Sequence, residues 1–268
     1  MPELAEVETV RNTLKSQILK KRIIDIEVFY SKMIENDLNE FKNNLINDSF
    51  TDILRKGKYL IFETENNYLI SHLRMEGKFF IKKADEDINK HEHLIFYFSD
   101  FTLRYHDTRK FGRMKLIKKE QLDNYFKNIG PDANSDIDKN YLFSKINKKN
   151  IPIKTLLLDQ SIIAGLGNIY VDEVLYLSKI NPYQKGIDLT LKDCENILKS
   201  AKEILNKAIE YKGTTIKSYT SSLGVYGSYQ QFLNVHTKDR CCCNSKILKE
   251  RIGGRSTYYC PNCQKLKK

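Results

Sequence analysis

The sequence predicts an α+β protein of several domains: an antiparallel β-sandwich or barrel first, a helical region second and a cysteine-bearing β-hairpin last. Three observations carry that reading. Apolar and aromatic residues recur in short, strand-like runs as far as Lys118 and at helical spacing thereafter. Gly130 and Pro131 open a polar stretch, Gly130–Asp138, that separates the two regimes. Five of the six cysteines lie between Cys241 and Cys263.

The elements follow in order. Leu4, Val7, Val10, Leu14 and Ile18 recur at spacings of three and four, so residues 3–19 form an amphipathic helix. Ile23–Phe29, Tyr59–Glu63, Tyr68–Leu73, Phe79–Lys82, Leu94–Phe98 and Phe101–Tyr105 are rich in β-branched and aromatic residues and read as strands, with Glu-Asn-Asn and Ser-Asp supplying turns. Short strands at this spacing favour a sandwich or barrel, with the first helix packed on it. Gln121–Ile129 and Lys139–Ile146 are expected as short helices, followed by Lys154–Asp159, Asn168–Ser178 and Leu191–Lys212. Thr190 is a candidate N-cap for the last, and Gly213 lies past its end. From residue 229 the pattern is extended again. The expected domains are 1–130, 131–228 and 229–268.

Lysine and arginine number 45 against 34 acids, a formal charge of +11. That excess points to a polyanion or an acidic membrane surface as partner. With 41% hydrophobic and 29% charged residues the chain can bury real cores, which excludes a disordered tail. No apolar run approaches the roughly 20 residues needed to span a bilayer, and the acidic N-terminus lacks a signal-peptide pattern. A soluble intracellular protein is expected. The five histidines form no HxxxH pair, and no Gly-x-Ser-x-Gly elbow occurs, so metalloprotease and serine-hydrolase readings lack support.

The clustered cysteines favour a local metal site over a disulfide framework. Cys260-Pro261-Asn262-Cys263 is a CxxC pair, and Cys241, Cys242 and Cys243 precede it on the other arm, with 16 residues between Cys243 and Cys260. Two short-spaced pairs on opposing turns supply the four thiolates of a structural zinc site, the alternative being buried reduced thiols. Position 240, where an ordinary CxxC ending at Cys243 needs a cysteine, is Arg240. Either Cys241 and Cys243 chelate as CxC or the hairpin shifts and uses Cys242. The preferred set is Cys241, Cys243, Cys260 and Cys263, with Cys242 free.

The N-terminus carries a second chemical signal. Removal of Met1 exposes the secondary amine of Pro2, and an α-amino group of pKa about 8 is partly unprotonated at neutral pH. Such an amine can attack a sugar C1′ and form an iminium ion, with Glu3 adjacent as acid or base. Met-Pro-Glu alone is weak, since it also suits a helix start.

The rest of the chain strengthens it. Pro2-Glu3-Leu4-Ala5-Glu6-Val7-Glu8-Thr9-Val10, Lys56-Gly57-Lys58-Tyr59-Leu60, His72-Leu73-Arg74-Met75-Glu76-Gly77, Arg104-Tyr105-His106-Asp107-Thr108-Arg109-Lys110-Phe111-Gly112, Gly165-Leu166-Gly167-Asn168-Ile169-Tyr170, Gly213-Thr214-Thr215 and the cysteine hairpin occur in that order. The sequence thereby resembles formamidopyrimidine-DNA glycosylase, the bacterial enzyme that removes oxidised purines, from residue 2 to 264. The resemblance implies an N-terminal β-sandwich with flanking helices, a helix–two-turns–helix domain and a zinc-ribbon β-hairpin. It implies a bifunctional glycosylase and AP lyase of base excision repair, needing no cofactor beyond one structural zinc.

Residue by residue, the resemblance makes Pro2 the nucleophile and Glu3 the acid that protonates the deoxyribose ring oxygen, with Glu6 supporting the N-terminal site. Lys58 positions sugar and phosphate. Arg255, on the zinc hairpin, binds phosphate and joins the catalytic set. Lys154 lies near the lesion or its phosphate. Met75, Arg109 and Phe111 fill the space left by the extruded nucleotide: Phe111 wedges into the stack and Arg109 faces the orphaned cytosine. Taken singly, Met75 and Phe111 read more readily as core residues, but Arg109-Lys110-Phe111-Gly112-Arg113 is too cationic for an interior strand. Asn168 grips phosphate at a helix start, where free N–H groups favour anions. Thr214, Thr215, Lys217, Ser218 and Tyr219 belong to a segment that closes over the base. The implied partner is double-stranded DNA with oxidised purines or abasic sites, preferably opposite cytosine. A monomer, cytoplasmic and nucleoid-associated, is implied, with no membrane partner.

Four departures from the family pattern stand out: Ala5 and Thr108 replace prolines, Lys212 replaces the first glycine of Gly-Gly-Thr-Thr, and the segment entering the hairpin is about three residues short. Two other readings compete. A sister enzyme, endonuclease VIII, takes oxidised pyrimidines, whereas Leu4, the Arg109–Phe111 loop and Gly-Thr-Thr favour purines. A non-catalytic zinc-ribbon protein that binds distorted duplex is the second.

Overall fold

The stripe from Leu4 to Ile18 forms helix α1 (Leu4–Ile18), its inward residues fully buried. The computed structural model describes residues 1–214 and 227–267, grouped into two compact units. The first comprises Met1–Lys127 with Lys212–Ser228, the second Asn128–Tyr211 with Tyr229–Lys268.

In the first unit α1 is followed by β1 (Asp25–Val28), α2 (Leu38–Leu45), β2 (Asp52–Lys56), β3 (Tyr59–Glu63), β4 (Asn67–His72), β5 (Lys78–Lys82), β6 (Glu92–Tyr97), β7 (Thr102–His106), β8 (Arg113–Lys118) and α3 (Leu122–Phe126). Two four-stranded antiparallel sheets form, in the orders β1-β6-β7-β5 and β2-β3-β4-β8. One core of Ile26, Phe62, Leu69, Phe79, Phe96, Leu103 and Leu116 joins them with Val7, Val10 and Leu14 of α1. Alternation puts Leu60 and Phe62 into this core and turns Ile61 to the opposite face, where Ile61, Ile70 and Ile117 pack under Leu122, Tyr125 and Phe126 of α3. This second apolar layer explains why the centre of β3 is buried on both sides.

Helix α2 and strands β2 and β8 carry no clear sequence signal. The eight residues of α2 are mostly polar, and it starts because the Asp37 carboxylate accepts the Asn39 and Glu40 N–H groups at 2.9 and 3.0 Å. Strand β8 alternates buried Met114 and Leu116 with Arg113 and Lys115, so a cationic loop runs directly into a half-buried strand.

The second unit holds α4 (Lys139–Ile146), α5 (Ile153–Leu158), α6 (Asn168–Leu177), α7 (Leu191–Glu210) and the antiparallel hairpin β9 (Leu248–Ile252) with β10 (Arg255–Tyr259). Thr190 caps α7 as expected, its hydroxyl accepting the Asp193 N–H at 3.2 Å while the Asp193 carboxylate accepts the Thr190 N–H at 3.0 Å. Helix α6 packs against α5, α7 and β10. Among the described residues, no helix is long and apolar enough to cross a membrane.

Candidate active site and metal centre

In the first unit the candidate site gathers at the start of α1. Pro2, Glu3 and Glu6 are all buried. Glu6 is the hub: its Oε2 accepts the Glu3 N–H at 2.9 Å, and its Oε1 accepts the Thr214 N–H at 2.8 Å and the Thr214 hydroxyl at 3.1 Å. One carboxylate thus fixes the backbone next to Pro2 and the entry to the segment that follows Thr214. Gly213 sits at φ +80°, and a Cβ there would lie 2.6 Å from Glu6 Oε1, so glycine is required. Its neighbour Lys212 is also left-handed, at φ +59°. The glycine-to-lysine departure therefore retains the glycine-type conformation at a cost of about 1 kcal/mol.

The Met1 amine, which precedes Pro2, lies among charges. Burial holds its pKa below the usual α-amino value; Glu3 and Glu6 oppose the shift, and the Lys58 ammonium reinforces it. Lys58 is itself buried, in the two-residue turn between β2 and β3 where Lys56 pairs with Tyr59. That turn is clamped by Arg55, whose Nε donates to Glu8 on α1 at 2.7 Å and whose guanidinium also donates to the Gly57 carbonyl at 3.0 Å. Arg55 has no local motif to announce it. His72, at the end of β4, accepts the Arg74 N–H on Nδ1 at 2.9 Å. Burial, with the nearby Arg74 and Lys58 cations, pushes its pKa down to about 3, so the imidazole is neutral.

Two loops carry the expected void fillers. Met75 lies in the turn closed by Gly77 N–H to Leu73 carbonyl at 3.0 Å. Arg109 and exposed Phe111 lie in the loop after β7, the guanidinium 4.7 Å from the ring centroid. Buried Asp107 shapes that loop, accepting the Arg109 N–H at 3.0 Å and the Gly112 N–H at 2.8 Å. The Thr108 hydroxyl donates to the Glu76 carboxylate and ties the two loops together. A proline at 108 has no such donor, so the departure exchanges backbone stiffness for a cross-loop bond. Both loops also rest on buried Tyr105: a Cβ on Gly77 or Gly112 would come within 2.1 or 1.7 Å of its hydroxyl. Asp107, Glu76 and Tyr105 were not singled out from sequence as parts of the site. The glycines at 77 and 112 are the sole local hint.

In the second unit, Asn168 opens α6 as expected after the turn Gly165–Gly167. Gln160 threads that turn, accepting the Gly165 N–H at 2.9 Å and donating to the Leu166 carbonyl at 2.9 Å. Arg255, exposed, begins β10. Lys154 departs from expectation. Its side chain is 0% exposed and donates to Asp172 Oδ1 at 2.7 Å and to the Ser256 carbonyl at 2.9 Å. An ammonium enclosed in this way faces protein oxygens, so the structure shows Lys154, expected near the lesion or its phosphate, paired internally with Asp172 and the Ser256 carbonyl. Of the expected lesion-loop residues, Thr214 is bound to Glu6, whereas Thr215, Lys217, Ser218 and Tyr219 lie outside the described residues.

The cysteine expectation is met in detail. Among the described residues, Cys241, Cys243, Cys260 and Cys263 bring their sulfurs within 4.8 Å of one another, with Cys241–Cys263 at 3.7 Å and Cys243–Cys260 at 3.6 Å. A tetrahedral zinc with Zn–S bonds of about 2.3 Å sets sulfur–sulfur distances of about 3.8 Å, so the four thiols fit one structural zinc. Exposed Cys242 stands outside the set, 3.1 Å from the Tyr176 hydroxyl. Gln264 secures the knuckle: its side chain accepts the Cys260 N–H at 2.9 Å and donates to the Ile180 carbonyl at 2.9 Å.

Comparison with known proteins bears on all three regions. Residues 1–114 match the formamidopyrimidine-DNA glycosylase N-terminal domain, residues 129–220 its H2TH domain, and residues 243–266 a zinc finger found in FPG and IleRS. The chain is 45% identical to a formamidopyrimidine-DNA glycosylase of Mycoplasma genitalium, covering 99% of this chain and 96% of the relative. It is 44% identical to one of Streptococcus pneumoniae serotype 4, covering 99% of each. A Lactococcus lactis FPG mutant in complex with DNA containing Fapy-dG superposes with a TM-score of 0.95 at 42% identity, covering 98% of this chain and 100% of that one. The Lactococcus lactis enzyme with abasic-site DNA gives 0.94 at 42% identity, covering 98% and 99%. Likeness of this extent, in sequence and in fold from end to end, means that the chain belongs to the formamidopyrimidine-DNA glycosylase family.

Proposed function

We propose that the protein is a bifunctional DNA glycosylase and AP lyase of base excision repair, acting on 8-oxoguanine and formamidopyrimidines in duplex DNA through a Pro2 Schiff base. Family membership supports the glycosylase reading. The observation that supports the nucleophile is Pro2 buried at the start of α1 beside the Glu3–Glu6 contact; burial and Lys58 also lower the pKa of the Met1 amine that precedes it. Removal of Met1 gives Pro2 a free secondary amine beside the same charges. Desolvation favours the neutral amine, the form that attacks.

In this reading the Pro2 nitrogen attacks C1′ of an extruded nucleotide as the glycosidic bond breaks, and the base departs with the bonding pair and takes up a proton. The nitrogen loses its own proton, Glu3 protonates the ring oxygen, and ring opening leaves an iminium at C1′. The iminium acidifies C2′–H; loss of that proton expels the 3′ phosphate, and a further proton loss expels the 5′ phosphate. Water then hydrolyses the C=N bond and returns the amine. Extrusion costs a few kcal/mol of unstacking. Stacking by Phe111, hydrogen bonding from Arg109 to an orphaned cytosine and filling by Met75 offset part of it. Lys58, Asn168 and Arg255 hold phosphates, and Thr214, Thr215, Lys217, Ser218 and Tyr219 belong to the segment that caps the base. Residues 1–130 form the catalytic domain, 131–228 the helix–two-turns–helix domain and 229–268 the zinc hairpin, in a monomer that works in the cytoplasm at the nucleoid.

Mass spectrometry of the mature N-terminus, combined with borohydride reduction on a duplex carrying 8-oxoguanine opposite cytosine, tests this. The expected result is a chain starting at Pro2 and a covalent protein–DNA adduct, lost in Pro2→Gly and in protein that retains Met1. Incision at normal speed by protein retaining Met1 overturns the mechanism, and a strong preference for thymine glycol overturns the purine reading.

A further inference from the structure

A buried charged network in the second unit takes no part in the chemistry above. Lys154 on α5 binds Asp172 on α6, and both side chains are 0% exposed. The second carboxylate oxygen, Asp172 Oδ2, accepts His236 Nδ1 at 2.8 Å, which therefore carries the proton, and the Tyr258 N–H at 3.2 Å. The His236 and Tyr258 rings pack at 4.8 Å. The segment that brings His236 in is fastened by the adjacent carboxylate: Glu173 accepts the N–H groups of Asn234, Val235 and His236 at 2.8, 2.9 and 2.9 Å.

An enclosed ion pair adds little stability over apolar packing, but it tolerates few alternative arrangements. Here the arrangement is specific. The network grips the β10 backbone at two alternate residues, through the Ser256 carbonyl and the Tyr258 N–H, immediately after Arg255. Its carboxylate lies one helical turn beyond Asn168 on α6. A shift of β10 by one residue would leave a buried ammonium and a buried carboxylate short of partners, at several kcal/mol.

We propose that Lys154, Asp172 and His236 are positioning residues that lock β10 to the first turn of α6, so that Arg255 and Asn168 meet phosphates of one DNA backbone in fixed register. Lys154 acts through Arg255 and does not touch DNA. The inference rests on the reading of Arg255 as a phosphate ligand.

The test is a double-mutant cycle on full-length, zinc-loaded protein, binding a duplex with a tetrahydrofuran abasic analogue. Arg255→Ala and Lys154→Met are each expected to weaken binding about tenfold, the scale of one charge-assisted hydrogen bond. The double variant should be no weaker than Arg255→Ala alone, and Lys154→Met by itself should retain one zinc and form the borohydride-trapped adduct at saturating protein within about twofold of the unsubstituted rate. Losses that multiply overturn the inference while leaving Arg255 as a ligand. Undiminished binding by Arg255→Ala overturns both the ligand reading and the inference. Should Lys154→Met fail to fold, His236→Leu at the network's edge serves instead: its expected threefold loss must vanish in the Arg255→Ala background, and persistence there refutes the proposal.

Discussion

Replacing Glu6 by glutamine changes one atom and removes a negative charge at the junction of two segments. Among the described residues the carboxylate accepts the Glu3 N–H on one oxygen and the Thr214 N–H and hydroxyl on the other. A glutamine side chain has one acceptor end. Its best orientation turns the amide oxygen to Thr214, keeping two bonds, and sets its NH2 against the Glu3 N–H. A lost charge-assisted bond costs about 1.5–3 kcal/mol and a buried unsatisfied N–H about 1–3 more. Together they give about 2.5–6 kcal/mol, or a fall in Tm of roughly 5–24 °C. Differential scanning calorimetry reads the total, and hydrogen exchange reads its location: the Glu3 amide should lose protection while the Thr214 amide keeps it. Thr214→Val removes only the 3.1 Å hydroxyl bond and should cost about 1 kcal/mol. Because the bond to Glu3 holds the backbone beside Pro2, trapped-adduct formation in Glu6→Gln should slow more than DNA binding weakens. A Tm within about 2 °C of the parent with both amides unchanged would refute the account of Glu6 as the hub.

Two further outcomes follow from particular groups. Cys242→Ser should retain one equivalent of zinc by elemental analysis, because its sulfur stands outside the four-thiol set, whereas Cys260→Ser should lose it together with much of the DNA affinity proposed for Arg255; zinc loss in Cys242→Ser would shift the ligand set. Burial lowers the pKa of His72 to about 3 and also lowers those of His93 and His106. Below their ordinary value of 6.5 the unfolded chain takes up protons that the folded one refuses, so stability is complete above pH 6.5 and declines as pH falls toward 3. The urea midpoint should therefore be lower at pH 5.0 than at pH 7.5, with a shallower fall in His72→Asn; a higher midpoint at pH 5.0 contradicts the sign.

What the sequence reveals and what it hides divide along a physical line. Helices α1, α4 and α7 are legible because their apolar residues repeat at the helical period and, for α7, Thr190 and Asp193 form the cap within four residues of each other. The zinc ligands are legible because chelation needs closely spaced thiols at each turn, and the ambiguity left by Arg240 is resolved once the sulfurs are seen in space. Short elements such as α2 and β8 escape because few residues carry their signal and tertiary packing decides them.

The remaining site architecture is carried by buried carboxylates that act over long stretches of chain, and no local pattern encodes those pairings. Glu6 reaches Thr214 across 208 positions, Asp172 reaches His236 and Tyr258 across 64 and 86, and Lys154 reaches Ser256 across 102. Each of these acids sits within a helix where it reads as an ordinary polar residue; burial alone sets it apart, at 4% exposure for Glu6 and 1% for Asp172. The resemblance puts Lys154 near the lesion or its phosphate, and no local pattern announces that its ammonium is paired with a buried protein carboxylate. The electrostatic logic survives at one remove. Arg109 and Arg255, proposed to meet DNA, are exposed, while a fully enclosed cation such as Lys154 can stay charged only against an internal anion and so organises the fold around it.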